Sequence, residues 1–212
     1  MNTYLDIVHY PWLKYGVDTP SKALDFYFLG TYTFSRQSSL DIRYKYKQKE
    51  KNMPWPDENS TSVLPYATHK IRIRHAYASK SGWEFRTTAD MAHYTEKHFP
   101  ADNGYMLSQN IGYRGKGPVS GDCYLAFFDA DTYDVRLYSY ERNLLNSFYM
   151  TSFYGKGTRL ALSANIEATQ SLTLSVKAGH THYLNRDTIG SGTEQIDGNR
   201  RTDLYFYLRW KF

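Results

Sequence analysis

The sequence lacks several features that define common protein classes. Among its 212 residues only Cys123 is a cysteine, which excludes an intrachain disulfide framework. No apolar run is long enough for a membrane helix, and no window holds a helical period over three turns. Phosphate-binding loops and dinucleotide-binding motifs are also absent. The sequence therefore predicts neither a disulfide-stapled scaffold nor a helical membrane protein, and it offers no nucleotide site.

The sequence instead shows strict alternation of apolar and polar side chains, most clearly in residues 202–212. One parity of this segment is mainly apolar: Thr202, Leu204, Phe206, Leu208, Trp210 and Phe212. The other parity is polar or charged: Asp203, Tyr205, Tyr207, Arg209 and Lys211. A period of two predicts a strand with one apolar face and one hydrated face. An amphipathic strand that ends on an aromatic residue is typical of the closing strand of an outer-membrane barrel.

The same alternation recurs along the rest of the chain. It is clear in residues 24–34, 40–49, 70–74, 83–94, 160–166 and 172–178, and weaker in 4–10, 105–114 and 122–128. Together with 202–212 these segments predict an all-β chain of about ten strands. We expect one domain over residues 1–212, an antiparallel transmembrane outer-membrane β-barrel.

The composition favours a membrane barrel. Aromatic residues make up 17% of the chain, with 21 tyrosines, although the mean hydropathy is only -0.64. Tyrosine and tryptophan prefer the membrane–water interface, where barrels carry them in two girdles.

The connections between the predicted strands alternate strictly between short and long. Short turns are predicted near residues 36–39, 79–82, 115–121 and 168–171, and long connections at 11–21, 51–66, 96–103, 130–155 and 185–201. Bacterial outer-membrane barrels show the same asymmetry, with tight periplasmic turns and longer extracellular loops.

The first residues, Met1 to Tyr4, have none of the marks of a signal peptide. Because an outer-membrane protein must be exported, we expect either a processed product or the C-terminal part of a larger barrel. We favour the second, since the first strand begins almost at Met1. We also expect the chain not to close a barrel alone, so that its last strand pairs with further polypeptide.

Several segments resemble the C-terminal barrel of a large family of outer-membrane proteins whose full-length members carry an N-terminal helix-hairpin-helix module. The resembling segments are FDADTYD (128–134), RLYSYERN (136–143), FYGKG (153–157), NRDTIGSG (185–192), LRWKF (208–212) and PWLKYGVD (11–18). The resemblance implies a fold and a location in the bacterial outer membrane, but no reaction. It also implies that Trp210 and Phe212 form a signal read by the barrel-assembly machinery. The helix-hairpin-helix module is missing from this sequence, so DNA binding is not predicted.

Basic side chains concentrate on the polar parity of three neighbouring predicted strands. These cations are Arg43, Lys45, Lys47, Lys70, Arg72, Arg74 and Arg86. With the apolar parity against lipid, all seven would face the barrel lumen. Asp41, Glu84 and Asp90 share that parity and could pair with some of them. Two interpretations stay open: a salt-bridged interior without a transport role, or a functional basic wall.

Catalytic, metal-binding and cofactor-binding constellations are not predicted. Asp129, Asp131, Asp134 and Glu141 cluster in one long connection, but their spacing fits no calcium loop, and a solvated or arginine-paired loop is favoured. We expect no nucleic acid partner, because the basic residues alternate along strands instead of forming one patch.

The predicted function is that of an outer-membrane barrel acting as a channel, a transporter or an anchoring subunit of an envelope complex. The alternative is a soluble lipocalin-like barrel that binds a ligand with its apolar face turned inward. The two predictions differ in which face of the sheet points outward.

Overall fold

The computed structural model describes residues 1–54, 61–145, 147 and 149–212. In chain order its strands are β1 (Asn2–Tyr10), β2 (Ser21–Ser35), β3 (Ser38–Pro54), β4 (Thr61–Ala78), β5 (Trp83–Glu96), β6 (Asp102–Tyr113), β7 (Val119–Ala130), β8 (Leu137–Tyr138), β9 (Ser152–Phe153), β10 (Gly155–Glu167), β11 (Leu172–Tyr183), β12 (Thr188–Ile189), β13 (Ile196–Asp197) and β14 (Arg200–Trp210). The helical turns of the described chain are two short 3₁₀ helices, Tyr133–Val135 and Gly192–Glu194. None of its helices has the length and apolar character that a membrane crossing requires.

Ten long strands form one antiparallel sheet in the order β1-β2-β3-β4-β5-β6-β7-β10-β11-β14. Each long strand pairs with the preceding and following long strand of the chain, so the topology is a meander. The short strands form two small ladders, β8 with β9 and β12 with β13, inside the last two long connections. The predictions of an all-β fold and ten strands are confirmed.

Most of the predicted strands are too short, above all those that correspond to β3 and β4. The sequence predicted strands at 40–49 and 70–74 and a long connection at 51–66, whereas β3 continues to Pro54 and β4 begins at Thr61. The predicted connection is therefore wrong at both of its ends, and its centre, 55–60, lies outside the described residues. Cross-strand pairs such as Asn52 with Val63 extend the ladder through polar sequence that shows little alternation.

The sheet is not closed into a barrel. Strands β1 and β14 are its two edges, both lie wholly within the described residues, and no ladder joins them. The prediction that this chain does not close a barrel alone is confirmed, and a closed ten-stranded barrel is not formed.

The two faces of the sheet differ sharply in chemistry. The outer face carries exposed or partly exposed apolar side chains on every long strand, including Leu5, Phe26, Ile42, Ile73, Ala89, Leu107, Leu125, Leu162, Ala178 and Leu204. The inner face buries polar and charged side chains: Thr88, Asp90, Ser108, Asn110, Arg159, Ser175, Lys177 and Thr181. The predicted separation of parities is therefore present in the fold.

The described residues of the connection between β7 and β10 (131–145, 147 and 149–154), here called the inner segment, lie on the inner face. Its Val135, Leu137 and Phe153 are fully or almost fully buried against β5, β6 and β7. The Phe153 ring stacks on Phe128 of β7 with the ring centroids 4.5 Å apart. This small apolar cluster anchors the segment at the end of the sheet that carries the long connections.

The sheet curls around the inner segment. Arg136 and Tyr140 of the segment contact Lys70 and Arg72 on β4, whereas its Glu141 contacts Arg159 on β10. Strands that are four ladders apart in the sheet order, such as β4 and β10, can reach one segment only if the sheet is strongly curved.

Candidate functional site

The structure places all seven cations of the predicted basic wall on the inner face. The ladder sets Lys45 opposite Lys70 and Arg43 opposite Arg72, while Arg86 shares the parity of the buried Asp90 on β5. Like charges directly opposite each other destabilise a sheet unless another charge compensates them. The wall thus concentrates positive charge on one face of three neighbouring strands.

Acidic partners compensate part of this wall. Asp90 binds Arg72 with an Nε–Oδ1 distance of 2.5 Å, and Asp41 binds Arg74 across the β3–β4 ladder. Lys47 pairs with Asp25 of β2 at 2.8 Å, a partner that the sequence did not suggest. Of the three predicted acidic partners, Asp41 and Asp90 lie at ion-pair distance from wall cations.

Four wall cations have no such compensation. No described carboxylate lies within ion-pair distance of Arg43, Lys45, Lys70 or Arg86. Lys70 Nζ instead donates to the backbone carbonyl of Arg136 at 3.3 Å, so the inner segment adds a further cation beside the wall. The positive charge left over is therefore local, not spread evenly over the inner face.

Three of these cations, Arg43, Lys45 and Lys70, line a cleft of about 450 Å³ between the wall and the inner segment. We call it the basic cleft, and its lining residues are Arg43, Lys45, Lys47, Lys49, Tyr66, Thr68, Lys70, Tyr94, Asp134, Arg136, Tyr138 and Tyr140. Six of the lining side chains are cationic, and Asp134 is the single described carboxylate among them. A second cleft of about 360 Å³ lies beside it, where Arg72, Arg74 and Arg86 face Glu141.

Tyr140 separates the two clefts and lines both. Its ring lies under the Arg72 guanidinium, with 3.8 Å between the guanidinium carbon and the ring centroid. Burial alone would raise the pKa of the Tyr140 hydroxyl, but the neighbouring Arg72 and Arg43 outweigh it and lower the pKa below the ordinary value. The inner segment is thereby held against the wall by a cation–π contact and by hydroxyl–guanidinium contacts.

On the opposite side, the inner segment is held by a compensated ionic cluster around Arg159 of β10. The Arg159 guanidinium binds both carboxylate oxygens of Glu141, at 3.1 and 2.9 Å, and Asp203 Oδ2 at 2.5 Å. Lys177 Nζ binds Glu141 at 3.0 Å and donates to the side-chain Oδ1 of Asn143 at 2.6 Å. Arg159 is 1% exposed and Lys177 3%, so both charges depend on these partners.

Gly179 of β11 makes room for this cluster. A Cβ atom at this position would lie 2.2 Å from Arg159 Nη2, well inside van der Waals contact. Only a residue without a side chain lets the guanidinium lie flat over β11 and reach Asp203 of β14.

Glu141 is the centre of the cluster and lies in the connection between β7 and β10. Burial acts to raise the pKa of its carboxyl group, but the hydrogen bonds and charges of Arg159 and Lys177 outweigh it and hold the pKa below the ordinary value. Glu141 is therefore a buried carboxylate that stays ionised at neutral pH.

Sequence reasoning found the wall but missed this cluster. In the sequence, Arg159 and Lys177 are two of several polar residues that alternate with the apolar parity of their strands, and nothing local distinguishes them from the others. The available signal was the acidic stretch of the long connection, which the sequence analysis interprets as a solvated or arginine-paired loop; of its acidic residues, Glu141 pairs with Arg159. Asp129 instead pairs with exposed Lys156 at 3.0 Å, and Asp131 accepts the backbone N–H of Asn103 at 2.7 Å.

A metal centre has no support in the part of the chain that the structure describes, because no three His, Cys, Asp or Glu side chains there could hold an ion together. Cys123 is a free, partly exposed thiol. It shares the outer-face parity of its strand, pairs with Ile111 across the ladder and lines a surface cleft together with Trp83.

The two residues of the predicted assembly signal lie at the end of the edge strand β14. Trp210 is the last strand residue and Phe212 follows the strand, so the predicted strand 202–212 extended two residues too far. Both side chains are largely exposed on the sheet edge, although the Lys211 N–H still donates to the Ser171 carbonyl at 2.8 Å.

No protein-family model, characterised protein or solved structure matches this chain.

Proposed function

We propose that this sheet spans the bacterial outer membrane, with its outer face against lipid and its inner face around a hydrated lumen. The observation that carries the proposal is the reversal of ordinary burial. Leu204 and Phe206 are 75% and 67% exposed on the outer face, whereas Arg159 and Lys177 are almost fully buried on the inner face. A water-soluble domain rarely exposes so large a contiguous apolar surface.

Aromatic side chains on the outer face support this orientation, because they gather at two levels. Near the short turns lie Tyr32, Phe34, Tyr77, Trp83, Phe85, Tyr113 and Trp210, all exposed. Toward the long connections lie Phe26, Tyr44, Tyr46, Tyr105 and Phe127, with His69 and His93 among them. Two belts with aliphatic residues between them are the pattern that membrane barrels present to the interfaces.

The distance between the belts suits a bilayer. Tyr77 and His69 lie eight residues apart on β4, about 26 Å along a strand at a rise of roughly 3.3 Å per residue. A strand tilt of about 40° reduces this to about 20 Å, close to the apolar band of roughly 25 Å in outer-membrane barrels.

A soluble lipocalin-like barrel is less well supported. Such a barrel would turn the apolar parity inward around a ligand, but the residues that enclose the inner segment are largely polar and charged. The small apolar cluster around Phe128 and Phe153 packs the inner segment against the sheet. The inner face instead suits water and ions, which supports a channel or transport-related role.

The open edge strands β1 and β14 require a partner if the sheet lies in a bilayer. In a bilayer the free N–H and C=O groups of β1 and β14 would each cost several kcal/mol. We propose that further polypeptide, either of the same protein or of an envelope complex, pairs with these strands after the barrel-assembly machinery has engaged β14.

Reconstitution tests the membrane assignment. We expect the purified chain to require detergent for solubility and to float with phospholipid vesicles in a density gradient, even after washing with high salt or carbonate. A chain that stays monodisperse in detergent-free buffer and remains at the bottom of the gradient would contradict the proposal.

A further inference from the structure

We propose that the basic cleft binds a small organic anion with two or more negative charges, such as a phosphorylated or polycarboxylated metabolite. The inference rests on the proposed function, because the cleft opens on the lumen-lining face of the sheet, and it names the class of ligand for that face. Its basis is the contrast between this cleft and the other charged groups of the inner face.

The basic cleft differs in charge balance from the cluster around Arg159 and Lys177. Around Arg159 and Lys177 every buried cation meets a carboxylate, and Arg72 and Arg74 have theirs on neighbouring strands. In the basic cleft, Lys45 and Lys70 lie directly opposite each other in the ladder with no described carboxylate at ion-pair distance. An anion bound between them would supply the missing charge, as partner side chains do elsewhere in the molecule.

Two cations of the cleft, Arg136 and Lys70, are positioned before any ligand arrives. Arg136 Nε donates to the Tyr138 hydroxyl at 2.9 Å, its Nη1 donates to the Tyr133 carbonyl at 2.9 Å, and its guanidinium carbon lies 4.1 Å from the Tyr133 ring centroid. Lys70 Nζ is fixed by the Arg136 carbonyl. Groups that are already ordered lose little conformational entropy on binding, which favours affinity.

The volume of the basic cleft suits a small organic molecule. A volume of about 450 Å³ exceeds what a bare phosphate ion fills and falls within the range of roughly 300–1,000 Å³ of small-molecule sites. Tyr66, Tyr138 and Tyr140 line the cleft with rings and hydroxyls, so an organic body can pack on them while its anionic groups meet Arg43, Lys45 and Lys70.

The test is titration calorimetry of the full chain in detergent at constant ionic strength. The probes are glucose 6-phosphate, pyrophosphate and citrate, with glucose as the uncharged counterpart. We expect the three anions to bind and glucose not to bind. The double variant R43Q/K70Q should raise the dissociation constant at least tenfold, whereas R36Q/K80Q, which removes two exposed cations from short turns, should leave it unchanged.

Stability separates loss of the site from loss of the fold. Because R43Q/K70Q relieves like-charge repulsion, its melting temperature without anion should equal or exceed that of the native chain, and the anions should raise it less. Absence of anion binding by the native chain, equal affinities of the two double variants, or equal binding of glucose would overturn the inference. If R43Q/K70Q melts lower, K45Q replaces it under the same criteria. Vesicle flotation reports separately on the membrane assignment.

Discussion

Neighbouring residues on β10 experience opposite environments. The Leu162 side chain is half exposed on the outer face, whereas Ser163 lies on the inner face with its hydroxyl 3.5 Å from Asp122. An arginine at 162 would place a charge in lipid, and we expect Leu162→Arg to cost about 2–4 kcal/mol. Ser163→Arg would place the same charge beside a carboxylate and should cost much less.

Urea unfolding in phospholipid vesicles measures both variants. Equal losses of stability at 162 and 163 would contradict the assignment of the two faces.

Glu141 compensates two buried cations at once. Glu141→Gln keeps the shape of the side chain but leaves Lys177 without a described carboxylate partner and Arg159 with Asp203 alone. Breaking such a buried pair costs about 3–5 kcal/mol, and chemical denaturation should show a loss of this order. The matched control is Asp129→Asn, whose ion pair with Lys156 is exposed and should be worth less than about 1 kcal/mol.

The ionisation of Glu141 makes the stability of the fold depend on pH, and the sign of that dependence is defined. The pKa of Glu141 is lower in the folded chain than its ordinary value of 4.5, so the unfolded chain binds the proton more readily. Its stabilising contribution is complete above pH 4.5 and is lost as the pH falls through the folded-state pKa. We expect the stability difference between the native chain and Glu141→Gln to shrink below pH 4.5. A difference that stays constant down to pH 2 would contradict the assignment.

Gly179 is the backbone counterpart of this ionic cluster. In Gly179→Ala the new methyl group would displace the Arg159 guanidinium, which is buried and tied to three partners. We expect a loss of about 1–3 kcal/mol in thermal or urea unfolding. Gly117→Ala is the control, because a Cβ atom there meets nothing within 4 Å, and it should leave the stability unchanged.

At the scale of the elements, sequence alternation predicted the strands well because a strand's faces depend on parity alone. It could not find the ends of β3 and β4, because cross-strand pairs such as Asn52 with Val63 hold polar residues in the ladder. The inner segment was predicted only as a long connection. Its path is fixed by contacts with distant strands, such as Phe153 on Phe128 and Glu141 on Arg159, which no local pattern encodes.

The candidate site, like the fold, was only partly predictable from the sequence. The wall cations were predictable, since parity alone puts them on one face of neighbouring strands. The sequence could not predict which wall cations remain without an acidic partner. Lys47 pairs with Asp25 of another strand, and Lys70 donates to a backbone carbonyl of the inner segment. Those partners depend on three-dimensional placement.

At the scale of the whole molecule, the two open edges make a direct prediction. Alternate amides of β14 donate to β11, and the remaining ones point to the unpaired edge. In the isolated chain in detergent, we expect the edge amides of β1 and β14 to exchange hydrogen much faster than those of β5 to β7. Slow exchange along both edges of the isolated chain would show that they pair with each other, contrary to the open sheet.

The inner segment also has a consequence for the order of folding. Its contacts with β10 and β11 close short stretches of chain, with Glu141 and Arg159 18 residues apart, whereas the contact of Lys70 with Arg136 spans 66. The entropy lost on forming a contact grows with the length of chain that it closes. We therefore expect the inner segment to form its contacts with the C-terminal strands first. The N-terminal strands should then fold around the inner segment after it is already ordered.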